Sequence, residues 1–305
     1  MPKVVAGMTE TCNAYSPMPE SVDGLGKLAS RLEEIRRTNV AHHQELIAAA
    51  AGMGTQIVGL GELFAAPYFA LRRDAFWKDM AEELESSSTI AELQGSARQH
   101  QVVLIAPLYE RDGDHFYNTA VVIDANGEVL GRFRKCHIPQ GRNEQAEFDE
   151  LFYYGASRGS LGNASSKVSD HAFLPVFDTA IGRIGINICY DRHFEGMVSR
   201  LAAQGAELIF SPAVTFGEKS KRLWDMEFEV EAARHNVFIG GSNRKGKEAP
   251  WNQEFFGSSY FVGPNGRCQN RSSNASLIVA ELDLSELSAA DPSGWNLGAD
   301  RRADL

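Results

Sequence analysis

Three side chains capable of covalent or acid–base chemistry stand where strand-like runs end. Cys189 follows the apolar run Ile184-Gly185-Ile186-Asn187-Ile188 and precedes Tyr190-Asp191-Arg192-His193. That spacing predicts a strand giving way to a turn and then a helix. A side chain on such a turn is held rigidly, and a helix start nearby favours the thiolate over the thiol. The nucleophile elbow of serine hydrolases uses the same mechanics. The alternative for Cys189 is a small buried hydrophobe, the usual fate of a free cysteine. Glu62 is the first charge before the apolar run Leu63-Phe64-Ala65-Ala66-Pro67-Tyr68-Phe69. A carboxylate there is either desolvated, which suits a base at neutral pH, or simply hydrogen-bonded at a strand end. Lys135 stands before Cys136-His137-Ile138-Pro139, where its ammonium can stabilise an oxyanion or snorkel to solvent. Arg192, His193 and Arg244 can grip a substrate carboxylate, or serve as ordinary ion-pair partners.

The elements that must position these residues alternate between strand and helix. Apolar runs predict strands over 3–8, 56–60, 102–107, 118–123, 128–134, 177–180, 182–188, 207–211, 237–242, 258–262 and 276–282. Helical spacing predicts helices over 22–51, 89–100, 196–204 and 221–235. In the first of these, Leu25, Leu28, Leu32, Ile35 and Val40 recur at helical intervals. Asp124-Ala125-Asn126-Gly127 reads as a hairpin turn, because Asn-Gly accepts positive φ at both central positions. Gly263-Pro264-Asn265-Gly266 reads as turn chemistry between the last two strands, and residues 156–170 as an exposed loop. Short strands interleaved with helices, with hairpins among them, give a mixed-sheet α/β fold.

Taken in order, three motifs resemble the Glu, Lys and Cys motifs of the nitrilase (carbon–nitrogen hydrolase) superfamily. They are Gly59-Leu60-Gly61-Glu62-Leu63-Phe64, Gly131-Arg132-Phe133-Arg134-Lys135-Cys136-His137-Ile138-Pro139 and Gly185-Ile186-Asn187-Ile188-Cys189-Tyr190-Asp191. Gly205-Ala206-Glu207-Leu208-Ile209-Phe210-Ser211-Pro212-Ala213 fits as well, as does Ala232-Ala233-Arg234-His235-Asn236 ahead of Gly241-Ser242-Asn243-Arg244. Within the superfamily the chain is most similar to the beta-ureidopropionase (N-carbamoyl-beta-alanine amidohydrolase) branch. Arg134-Lys135-x-His137-Ile138-Pro139, Ile188-Cys189-Tyr190-x-Arg192-His193 and Phe256-Gly257-Ser258-Ser259-Tyr260 carry that likeness. The carbamoylputrescine amidases share the His-Ile-Pro run but have Trp after the cysteine.

The resemblance implies a four-layer α-β-β-α sandwich formed by one domain over residues 1–305, with a tail near 284–305. It implies hydrolysis of a small N-carbamoyl amino acid through a thioester on Cys189, releasing ammonia and carbon dioxide. The alternatives are an amidase or nitrilase acting on another small substrate, such as N-carbamoylputrescine or an omega-amide, and a catalytically silent assembly subunit. Glu62 would be the base, and Lys135 with the backbone N–H of Tyr190 the oxyanion donors. Loss of one such donor typically costs about 3 kcal/mol of barrier. A second glutamate is expected between the Lys and Cys motifs, and Glu150 ahead of Leu151-Phe152-Tyr153-Tyr154 fits better than Glu144 or Glu147. Beside these, Tyr190, Arg192, His193 and Arg244 are the candidate substrate-binding residues. No metal or organic cofactor is implied, and relatives associate as homodimers or larger assemblies. Two positions depart from the pattern. Cys136 replaces an Asn or Ser, and Phe194-Glu195-Gly196 lacks the usual Pro, which places Glu195 at the rim of the site.

Composition agrees with this reading and excludes others. The chain has 305 residues, with 30 Lys+Arg against 40 Asp+Glu for a net charge of −10. Such a balance argues against a nucleic-acid partner, whose phosphates demand a basic face. Residues 46–60 form the most apolar stretch, too short and glycine-broken to cross a membrane. Four cysteines without close pairing, and no signal-peptide pattern at the start, point to the cytoplasm. His42-His43 reads as a solvated pair rather than a metal site.

Overall fold

The computed structural model describes residues 3–159, 167–290, 293–295, 297 and 300. Seven strands build a first sheet. Six of them come early in the chain: β1 (Lys3–Thr9), β2 (Ile57–Gly59), β3 (Glu82–Glu83), β4 (Val103–Asp112), β5 (His115–Ile123) and β6 (Val129–Arg134). A small hairpin of β7 (Gln140–Arg142) and β8 (Glu147–Asp149) follows. The second sheet begins with β9 (Phe177–Thr179), β10 (Gly182–Ile186), β11 (Leu208–Ala213) and β12 (Phe238–Asn243). After a second hairpin, β13 (Lys245–Glu248) with β14 (Gln253–Phe256), it is completed by β15 (Tyr260–Gly263) and β16 (Gly266–Arg267). The last strand, β17 (Leu277–Asp283), returns to the first sheet and pairs antiparallel along all of β1.

Alternation along the strands settles the layers. In β4, Val103 and Ile105 join the core between the sheets, whereas Leu104, Ala106 and Leu108 face a separate apolar cluster. That second cluster contains Val40, Ile47 and Ala50 of α1 (Leu32–Gly52) and Ile90, Leu93 and Ala97 of α2 (Ser88–His100). On the other side, Ile184 and Ile186 of β10 meet Val4, Ala6 and Met8 of β1 in the central core. A Cβ at Gly185 would instead touch Leu201 of α3 (Met197–Ala203). Gly241 likewise faces Trp224 and Phe228 of α4 (Glu218–His235) so closely that a Cβ would lie 2.4 Å from Phe228. The order is helix, sheet, sheet, helix, and the expected four-layer α-β-β-α sandwich is present.

Several local expectations change. The long first helix divides: residues Val22–Ser30 wind as 3-10 turns and the α-helix starts at Leu32. Gly24 and Gly26 each weaken helix by about 1 kcal/mol, and Arg31 takes φ −123° between the two pieces. The β5–β6 turn is not a two-residue type I′ turn. Among its residues only Gly127 has positive φ, at 81°, and its N–H closes on Asp124 O at 2.8 Å. The Gly263–Gly266 turn closes β15 on β16, while residues 277–283 cross to the other sheet instead of completing that hairpin. Of the expected loop over 156–170, residues 160–166 lie outside the described residues. Its far end is partly ordered by an isolated β-bridge from Val168 to Phe177. Of the expected tail, residues Leu284–Ser288 form a 3-10 turn.

Candidate active site

Each reactive side chain follows a strand or hairpin that the sandwich holds in place. Lys135 directly follows β6, Cys189 lies just beyond β10, Glu62 opens the turn after β2 and Glu150 follows β8. All four are buried. The Lys135 Nζ lies 2.8 Å from Glu62 Oε1 and 2.7 Å from Glu150 Oε2. Asn118 Nδ2 donates to the same Glu62 Oε1 at 2.7 Å, and Val214 N to Glu62 Oε2 at 2.5 Å. Tyr68 donates its hydroxyl to Glu150 Oε1 at 2.9 Å. The carbonyl of Val214 lies 3.7 Å from Cys189 Sγ, so one residue contacts both Glu62 and Cys189.

The electrostatics follow from two carboxylates and one ammonium in a dry site. Burial works against the Lys135 charge, yet Glu150 and Glu62 hold its pKa well above the usual value. Burial, and then the neighbouring Glu62, push Glu150 upward against the pull of Lys135. Burial likewise pushes the Cys189 thiol up to about 12, with the Glu62 charge adding to it. The expectation that a helix start would favour the thiolate is therefore corrected. Only a short 3-10 turn, Cys189–His193, begins there, and desolvation outweighs it. The elbow itself is real, since Cys189 takes φ +52°, a left-handed conformation uncommon outside glycine.

A pocket of ≈ 90 Å³ opens onto Cys189 and Glu150. Tyr190, Arg192 and His193 line it, together with Tyr68, Thr215 and Phe216. Arg192 Nη1 donates to Cys189 O at 2.8 Å, and its Nε lies 3.1 Å from Glu227 Oε2 in an ion pair too angled for a hydrogen bond. Its Nη2 is buried without a hydrogen-bond partner among the described residues. His193 Nδ1 lies 2.6 Å from Glu227 Oε1.

Arg244 is placed elsewhere. It does not line the pocket; its Nη2 donates to Glu62 O at 3.1 Å and Leu63 O at 3.2 Å, and its Nη1 to Glu248 and Ala66 O. Its guanidinium thus staples the turn that carries Glu62. Glu195 is exposed and is not among the lining residues, whereas Phe194 stacks on His137 at 3.7 Å. The histidine pair is not a solvated one throughout: His42 is half-buried, whereas His43 is buried against Phe64 and burial pushes its pKa down to about 3. Among the described residues no group of His, Cys, Asp or Glu could hold a metal ion, and no helix is long and apolar enough to cross a membrane.

Sequence reasoning missed Asn118, Tyr68, Val214 and Asp191. Asn118 carried a faint signal as a lone amide entering the apolar run Thr119-Ala120-Val121-Val122. Asp191 is buried and bonded to the segments beside Lys135 and Cys189, which no spacing reveals.

Beyond its own geometry, the chain is similar to known proteins. The sequence model of the carbon-nitrogen hydrolase family matches residues 32–291. The beta-ureidopropionase of Arabidopsis thaliana is 33% identical over 258 residues, covering 78% of this chain and 59% of that protein. The chain thus spans about three-fifths of the length of that relative. The N-carbamoylputrescine amidase of Arabidopsis thaliana is 32% identical over 283 residues, covering 88% of each. The crystal structure of a carbon-nitrogen hydrolase from Helicobacter pylori G27 superimposes with a TM-score of 0.77 at 25% identity, over 99% of this chain and 97% of that one.

Proposed function

The chain belongs to the carbon-nitrogen hydrolase family, and from that premise we propose that it hydrolyses a small N-carbamoyl amino acid of the N-carbamoyl-beta-alanine type. The observation that carries this reading is the pocket's charge. Arg192 lines the pocket with its Nε paired to Glu227 and a buried Nη2 that has no hydrogen-bond partner among the described residues, while the one carboxylate among the described lining residues, Glu150, is already engaged by Lys135. An anionic substrate tail satisfies that guanidinium, and a cationic tail finds no free acid. The pocket's ≈ 90 Å³ is far below the several hundred Å³ usual for drug-sized ligands, which suits a small substrate.

In the proposed mechanism Glu62 takes the Sγ proton as Cys189 attacks the carbamoyl carbon. Burial favours the thiol form of Cys189, so attack needs its proton to pass to a neighbouring base. Lys135 and the N–H of Tyr190, one of the unpaired donors at a helix start, receive the developing oxyanion. Collapse expels amine or ammonia, which takes the proton from Glu62 and leaves a thioester. Water, deprotonated by the same carboxylate, attacks it. The departing sulfur takes that proton back, and the released carbamic acid breaks its remaining C–N bond to give carbon dioxide and the second amine or ammonia. The products are the beta-amino acid, ammonia and carbon dioxide. Glu150 and Tyr68 hold Lys135 in line, Arg192 receives the substrate carboxylate, and Arg244 braces the Glu62 turn.

We read residues 1–305 as one catalytic domain, since β1 and β17 pair along their whole length. The four free cysteines suit a cytoplasmic protein. Met226 and Val230, one turn apart on α4, are 46% and 47% exposed and suit a homo-oligomer contact.

The test is ammonia release by wild type and Cys189→Ala from N-carbamoyl-beta-alanine, N-carbamoylputrescine, N-carbamoyl-D-amino acids, simple amides and nitriles. Cys189-dependent turnover of the first compound is expected. Preferential turnover of N-carbamoylputrescine would move the chain to the amidases, which one relative matches over nearly its full length. Full activity in Cys189→Ala would end the nucleophile assignment.

A further inference from the structure

The geometry points to Asp191 as a positioning residue, a single buried carboxylate that sets the separation between the strand end carrying Lys135 and the elbow carrying Cys189. The inference rests on Cys189 being the nucleophile. Asp191 is fully buried. Its Oδ2 accepts from Ile188 N at 3.1 Å, the residue just before Cys189. Its Oδ1 accepts from His137 N at 2.8 Å and Cys136 N at 3.2 Å, the two residues just after Lys135. The His137 ring adds a contact from Nδ1 at 2.8 Å, and that ring is stacked on Phe194. On the other side of Lys135, its own N–H donates to Asn118 O at 2.9 Å, so the chain there is fixed from both directions.

Both ends of this clamp need it. Cys189 sits at φ +52°, a conformation that persists only where surrounding contacts over-determine it. Lys135 reaches its post from a different sheet than Cys189, and no covalent connection shorter than 54 residues joins them. In the folded chain the Asp191 carboxylate links the two segments directly. A misplacement of 1 Å between reacting groups costs a rate on the order of 100-fold. An asparagine at 191 keeps the shape and one acceptor, but its amide NH₂ then opposes either His137 N or Ile188 N, so one side of the clamp opens.

The test compares Asp191→Asn with Asp124→Asn, a control at the β5–β6 turn. Asp124 is also a buried carboxylate accepting backbone bonds, from Ala125 N at 2.9 Å and Ala180 N at 3.0 Å. Two readouts are taken on folded protein: kcat and KM on whichever substrate wild type turns over, and the rate of iodoacetamide alkylation at Cys189 followed on its peptide by mass spectrometry. The second needs no substrate, so a wrong substrate reading and a wrong clamp are told apart. For Asp191→Asn we expect kcat to fall about 10- to 100-fold with KM within threefold, and Cys189 alkylation to slow at least fivefold because Glu62 no longer assists it. Asp124→Asn should leave both within twofold. Alkylation unchanged or faster in Asp191→Asn overturns the proposal, as does an equal loss in Asp124→Asn. If Asp191→Asn does not fold, Asp191→Glu is read by the same two measurements. Failure of both to fold beside a folded control would make the carboxylate structural only and end the positioning role.

Discussion

Lys135 Nζ lies 2.8 Å from Glu62 Oε1 while a second carboxylate, Glu150, waits 2.7 Å away on its other side. The ammonium is thereby held charged in a buried site, and in the mechanism proposed above the carboxylate that accepts the cysteine proton is oriented by the group that meets the oxyanion. Losing one partner of such a buried pair strands a charge, so substitutions here strike both catalysis and stability.

Lys135→Met illustrates the combined effect. It removes an oxyanion donor and leaves Glu62 and Glu150 facing each other without a cation. We expect kcat to drop on the order of 100- to 1,000-fold, and thermal unfolding to shift by an amount that corresponds to roughly 3–5 kcal/mol. The activity loss should persist at temperatures where the variant is fully folded by circular dichroism. Wild-type kcat in that variant would remove Lys135 from the oxyanion site.

Arg192 is tested by a ratio. It holds the Cys189 carbonyl as well as facing the pocket, so Arg192→Gln should slow every substrate. The loss of its charge should act on anionic tails alone. Measured as kcat/KM for N-carbamoyl-beta-alanine against the uncharged N-propylurea, the preference for the anion should fall about 10- to 100-fold, the value of a charge-assisted hydrogen bond. An unchanged ratio would mean that the carboxylate binds elsewhere.

These residues differ in how far the sequence exposes them. Glu62, Lys135 and Cys189 are legible because each is a polar break at the end of an apolar run, and because their motifs come in order. The pocket residues Arg192 and His193 are legible from closeness to Cys189 along the chain. Arg244 is not, since a guanidinium that grips a ligand and one that grips Leu63 O and Ala66 O look alike until the turn is folded. Asn118 and Asp191 act by bonding across segments 56 and 54 residues apart in the chain, which periodicity does not encode. In the fold, the strands facing two apolar layers are legible from continuous hydrophobic runs, but the partner of β17 depends on which sheet has a free edge.

High pH should destabilise the fold through its thiols. Burial raises Cys189 and Cys136 to about 12 and Cys268 to about 11, above the value of about 8.5 for an unfolded thiol. Between those limits the folded chain keeps protons that the unfolded chain releases, so stability falls as pH rises from about 9. Chemical denaturation at pH 8 and pH 10 measures it. Cys268→Ser, remote from the active site, should reduce the loss, and an identical pH slope in that variant would contradict its burial.

Acid should act through His43. It is buried, its Nδ1 bonded to Asn39 O at 2.8 Å, and burial lowers its pKa from 6.5 to about 3. A depressed histidine is neutral when folded but takes a proton when unfolded. The unfolded chain therefore binds more protons below pH 6.5, and the stability present above that value is lost as pH falls towards 3. Between pH 6.5 and 5, before most carboxylates titrate, one such group removes up to about 2 kcal/mol. His43→Leu, packed against Phe64, should abolish that part of the slope while leaving the steeper loss below pH 4.5 where carboxylates titrate. Urea unfolding at pH 7 and pH 5 decides it. A His43→Leu protein that loses as much stability over this window as wild type would place the acid sensitivity in another group.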